Sequence, residues 1–276
     1  MKSLLNRLPL MTYALLAVFL CLTIVRGKSE TPETTNLLMA SSILMFACCW
    51  TSAIHFLGAR AALNFVVIGV VVGWTAEQLG SSYGWFFGSY TYTTVLGPAL
   101  GDVPIVIPLM WFALTYVAYV LSNLIAWQTP MDGVASWGKA LVTSLLAALL
   151  VTAYDLGADP YMVFTLKAWI MTKTDGWWFG ETLQGFFGWA FVSFVIVFAF
   201  RLTLHRNKPQ PALHIATWHA LVPALIYGGS MVFQMFKGNP VETRTIALFA
   251  MGIPLLCALI GWYRWNQAGK PQGAPA

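Results

Sequence analysis

The chain has 276 residues, of which 58% are hydrophobic and only 9% charged, with a mean hydropathy of +0.70. This composition excludes an ordinary soluble domain and belongs to a polytopic membrane protein, whose backbone must be satisfied within helices where no water reaches. The formal net charge of +5 comes without a concentrated basic stripe, so it reports topology and lipid headgroups and gives no reason to expect a nucleic-acid partner.

Runs of roughly 20 apolar residues are long enough to cross a bilayer. They predict an all-α transmembrane bundle of about eight spans, with seven as the alternative, forming one domain over residues 1–265. The first, Pro9 to Val25, has a basic start like a signal peptide, but no clear small-residue cleavage pattern follows, so it is expected to stay as a helix. Next come Leu37 to Leu57 and the shorter Ala61 to Ala76. Beyond Ala76 the apolar pattern gives way to a linker, Gln78 to Asp102, preceded by Glu77 and framed as Gly84-Trp85-Phe86-Phe87-Gly88, with Tyr90, Tyr92, Gly97-Pro98 and Asp102-Val103-Pro104 after it. Glycines on both sides of a bulky aromatic pair let the backbone turn tightly while the rings pack.

Val103 to Trp127 and Trp137 to Tyr154 are the fourth and fifth spans. A second long linker, Asp155 to Gln184, carries Asp159-Pro160, Trp169 and a related frame, Gly176-Trp177-Trp178-Phe179-Gly180, followed by Glu181. Linkers of this length tend to be functional or disordered, and both are too aromatic for disorder. The two frames read as a weak internal repeat. Gly185 to Leu204, His214 to Phe236 and Thr245 to Trp262 complete the spans, and the Gly-, Pro- and Gln-rich tail, 266–276, is expected to be disordered.

With eight spans, Lys2, Arg7, Arg60, Lys139, Arg201, Arg206, Lys208, Arg264 and Lys270 share one side, nine basic residues against six. That side is expected to be cytoplasmic, with both termini on it, in a bacterial inner membrane. Glu77, Asp102, Asp155, Asp159, Asp175 and Glu181 then share the outer side.

A carboxylic acid inside a membrane is a functional candidate by default, and burial favours its neutral, proton-donating form. Set against this, an acid at a helix end can simply hydrogen-bond another helix, and aromatic rings can simply form an interfacial belt. Asp159-Pro160 can open a short helix, since Asp caps well and Pro suits a first turn. Its place four residues after Asp155 nevertheless makes a carboxyl pair, in which pKa values split to give one acid and one base. Glu30, Glu33, Asp132 and Glu242 lie in plain polar linkers.

Cys21, Cys48, Cys49 and Cys257 fall inside apolar spans without paired spacing and read as small core residues. His55, His205, His214 and His219 lack ligand spacing, so no metal is expected. No mid-membrane lysine suits a retinal Schiff base, and no phosphate loop, dinucleotide fingerprint or hydrolase triad is present.

Glu77, Gly80, Gly84, Phe87-Gly88, Tyr90, Tyr92, Gly97-Pro98, Val103-Pro104, Pro108 and Trp111 resemble the signature of the integral-membrane carotenoid biosynthesis family that contains the carotenoid 1,2-hydratases called CruF. Asp155, Asp159-Pro160, Trp169, Gly180, Phe186, Gly188 and Trp189 resemble that family's second block. Where the family usually has Gly-Val-Pro and then Asn-Phe, this chain has Gly180-Glu181-Thr182 and Gly185-Phe186. The resemblance implies addition of water across the terminal carbon-carbon double bond of an acyclic carotenoid with lycopene-like end groups, without a cofactor. It implies Glu77, Asp155 and Asp159 as acid and water-orienting base. Trp85, Phe87, Tyr90, Tyr92, Trp111, Trp169, Trp177 and Trp189 would line the pocket, with membrane lipid and other enzymes of the pathway as partners. An end-group cyclase or isomerase, and a non-catalytic carotenoid binder or transporter, are the competing readings.

Overall fold

The computed structural model describes residues 2–30, 33–131, 136–205, 209 and 217–268, with side chains described from Leu8 onward. Eight helices among them are long and apolar enough to cross a membrane. They are α1 (Lys2–Lys28), α2 (Thr35–Leu57), α3 (Ala59–Tyr83), α4 (Val106–Trp127), α5 (Trp137–Pro160), α6 (Leu183–Thr203), α7 (Val222–Lys237) and α8 (Glu242–Ala268). The protein is an all-α integral membrane bundle of eight spans. Four short strands decorate the linkers: β1 (Tyr90–Tyr92), β2 (Ala99–Leu100), β3 (Val103–Pro104) and β4 (Trp169–Met171).

Helix α4 is the axis of the bundle. Every residue from Trp111 to Leu124 is buried, as expected of a helix that is apolar all round and enclosed by others. Helix α3 lies flat against it because Gly69 and Gly73, one turn apart, present no side chain at the contact: a Cβ at Gly69 would stand 2.9 Å from the Phe112 Cα. Small residues at this spacing bring helix backbones together where lipid supplies no hydrophobic drive. Glu77, one further turn along, lies on the same face and is carried directly to Trp111.

Helix α3 reaches Tyr83, seven residues beyond the apolar run, because Gln78, Ser81 and Ser82 interrupt hydropathy without breaking the helix; Gly84 ends it in the left-handed conformation, φ 70°. Helix α5 likewise continues past Tyr154 through Asp159 to Pro160 and then into a π-helical segment, Tyr161–Leu166. Asp159-Pro160 therefore opens no new helix. A wide turn of this kind is frequent at functional sites. The seventh crossing is observed over Thr217–Lys237, and His214, where it was expected to begin, lies outside the described residues, as do Asp132, Arg206, Lys208 and Lys270. Helix α8 runs to Ala268, three residues into the expected tail; 269–276 lie outside the described residues.

Of the four cysteines, only Cys48 and Cys49 are core residues. Cys21 and Cys257 are exposed on the outer, lipid-facing surface of their helices, so apolarity there serves the membrane and not the core.

Candidate active site

The two long linkers are stitched together at one end of the bundle. Strand β1 pairs antiparallel with β4, Tyr90 opposite Met171 and Tyr92 opposite Trp169. Alternate residues of a strand share a face, so all four side chains can project from one side of the ribbon. There they meet Phe87, Trp111 and Trp189 around a small cavity of about 60 Å3, room for a compact group and not for a whole long ligand. Glu77 and Asp159 line it as well.

Glu77 is 4% exposed, so its partners decide what it can do. Trp111 Nε1 donates to Oε1 at 2.9 Å and Tyr92 Oη to Oε2 at 2.8 Å, while Tyr90 Oη also donates to Oε2. Three donors from one helix and one strand hold the carboxyl in a single orientation. Burial, followed by the adjacent Glu77 charge, raises both tyrosine hydroxyls above the usual phenol range, so both keep their protons. The Trp111 ring is itself stacked on Trp189, with centroids 4.5 Å apart.

Asp155 and Asp159 occupy one face of α5, a turn apart, both buried. Asp159 reaches the cavity wall; Asp155 lies behind it. The second aromatic frame closes over them. A backbone bridge joins Gly176 to Gly180, and Trp178 Nε1 donates to the Leu156 carbonyl at 2.9 Å, anchoring the frame to α5 between the two aspartates. This brings Glu181 near Asp159, with both of its carboxyl oxygens buried and without a hydrogen-bond partner among the described residues. Burial, then the Asp159 charge, pushes the Glu181 pKa up to about 11, so it holds a proton at neutral pH and can offer it to Asp159. Trp169 lines the same cavity as Asp159.

The cavity thus brings together Glu77, Phe87, Tyr90, Tyr92, Trp111, Asp159, Trp169 and Trp189. Trp85 and Trp177 stand apart from it: they are 56% and 86% exposed and face outward on the loops. Asp102 is occupied elsewhere, accepting from Gln78 Nε2 at 2.7 Å and Ser82 Oγ at 3.0 Å to tie the β2–β3 turn to the end of α3. Glu181 is the residue that sequence reasoning left without a role. Its signal was present as a carboxyl where the resembling family has an apolar residue.

The sequence profile described as carotenoid biosynthesis protein matches residues 35–257, which include every part of this site. The chain belongs to that family. The chain is 32% identical to the bisanhydrobacterioruberin hydratase of Haloarcula japonica over 200 residues, 70% of this chain and 63% of that protein. The aligned region therefore spans less than two thirds of the relative's length. No solved structure matches the chain.

Proposed function

We propose that this protein hydrates the terminal C1,2 double bond of an acyclic carotenoid end group. The observation that carries this reading is that two carboxyl groups, Glu77 and Asp159, line one aromatic cavity, Glu77 caged by three donors and Asp159 close to the protonated Glu181 outside it. The hydratase relative supports the same class of reaction.

Asp159, supplied by protonated Glu181, transfers a proton to C2, the less substituted carbon. The electron pair of the double bond forms the new C–H bond and leaves a tertiary cation at C1. Faces of Trp111, Trp169 and Trp189 stabilise that cation, each by about 2 kcal/mol or more when desolvated. A water oriented by Glu77 adds its oxygen to C1 and loses a proton to that carboxylate, giving a tertiary alcohol; the proton gained by Glu77 passes to solvent water and one from solvent returns to Glu181, which restores the starting state. The sum is addition of one water, with no change of oxidation state and no cofactor. Asp155, one turn behind Asp159, sets the charge balance of the pair.

The protein would act in a bacterial inner membrane with both termini cytoplasmic and the acids at the outer face. Production in a lycopene-making bacterium, with mass analysis of the extracted pigment, tests the reading. A product one water heavier is expected; an unchanged mass with a cyclic end group would replace it with a cyclase, and unchanged pigment with a binder.

A further inference from the structure

A cavity for an end group leaves the rest of a long substrate to be housed. Two further spaces lie at the same end of the bundle. The first, about 80 Å3, lies between α1, α2, α4, α5 and α7, and Met110 borders both it and the acid cavity. The second, about 350 Å3, is an apolar groove between α1 and α7 on the lipid-facing surface; Thr23 and Phe233 border both it and the middle space. Gly27, Gly228 and Gly229 form part of the groove wall and contribute no side chain to close it.

The two partitions are of different kinds. Met110 is unbranched and adapts its shape readily. Phe233 is held: the Arg26 guanidinium lies 4.8 Å from its ring centre, Tyr161 meets it edge-on at 5.6 Å, and Arg26 is itself fixed by a forked ion pair to Glu33 at 2.6 and 3.0 Å. Met110 is thus suited to yield to a chain, and Phe233 to guide one.

We infer that the three spaces are successive segments of one tunnel, which admits an elongated polyene from the bilayer between α1 and α7 and holds its tail there while its end group rests at the acids. The chain crosses the bundle through the outer ends of α1, α7, α5 and α4, lying across the helices and not along them. This rests on the proposed function only for the nature of the chain; binding can be measured without turnover.

The test uses the full chain in nanodiscs and a linear C40 polyene hydrocarbon, with binding read from quenching of tryptophan fluorescence and product from mass. Val232→Trp narrows the groove mouth on a side chain that is exposed to lipid, Met110→Trp blocks the inner partition, and Val142→Trp adds the same bulk to an exposed site on α5. Each block is expected to raise Kd by about tenfold or more, a loss of about 1.4 kcal/mol, while Val142→Trp stays within about twofold. Wild-type binding that both blocks leave intact, or that Val142→Trp weakens equally, overturns the tunnel. Wild-type binding without any hydrated product, but with both blocks still weakening it, would leave the tunnel standing and remove the hydration reading.

Discussion

Gly73 of α3 and Trp111 of α4 meet so closely that a single methyl added at the glycine would stand 2.6 Å from the indole Cγ. The same indole donates its N–H to Glu77, one turn along α3. Gly73→Ala is therefore expected to push Trp111 aside, break its bond to Glu77 and lower stability by about 1–3 kcal/mol, the usual cost of overpacking. Gly138→Ala, where nothing lies within 4 Å, is the matched control. Pigment conversion and melting temperature of the two variants in detergent measure the difference.

Glu77→Gln keeps the shape of the side chain but turns one acceptor oxygen into a donor facing donors. Turnover is expected to fall by two orders of magnitude or more, about the range that acid-base groups contribute. Membrane levels on an immunoblot should remain measurable. Normal conversion by a normally inserted variant would remove Glu77 from the chemistry.

Glu181 gives a pH dependence with a defined sign. Its folded pKa of about 11 lies above the roughly 4.3 of an exposed glutamate, so the folded chain holds a proton that the unfolded chain releases between those values. The stability linked to this proton is fully present below about pH 4 and declines as pH rises toward 11. Glu181→Gln, neutral at every pH, should flatten the alkaline fall in melting temperature, and as it cannot supply a proton it should also lose turnover. Thermal melts from pH 6 to 10, paired with conversion assays, examine both outcomes.

The rings divide by place. Trp169→Ala and Trp189→Ala remove walls of the cavity and should cut conversion by about tenfold or more, while Trp85→Ala and Trp177→Ala should leave it within about twofold. Equal losses for all four would mean that exposure at the loops is not a guide to function.

Orientation follows from the basic residues. Reporter fusions after Lys208 and after Ala276 are both expected to report cytoplasm. A periplasmic signal at either would overturn the arrangement.

The eight spans were legible because the need to satisfy the backbone in lipid leaves a plain signature of length and apolarity. Their ends were less so. Polar residues at the end of α3 and the carboxyls of α5 lie within continuous helix, and hydropathy reads them as linker. Glu77 stood out as an acid beside aromatic residues, and its partners Tyr90, Tyr92 and Trp111 were within reach of the same reasoning. Glu181 was not, because its approach to Asp159 depends on the Trp178 bond to Leu156 and on the Gly176 to Gly180 bridge, neither of which has a periodic trace. Trp85 and Trp177 failed as pocket residues for the converse reason: a ring's direction from an irregular loop is decided by the fold.

The outward-facing indoles of Trp85 and Trp177 have a use of their own. Such rings settle where headgroups give way to hydrocarbon, and here they flank the loops that carry the partners of Glu77 and Asp159. As anchors at that boundary they would fix the loops relative to the bilayer without taking part in the cavity. Bilayers of different thickness would be met by tilt or by local thinning around that mark, so the two exposed rings record the bilayer to which the fold is matched.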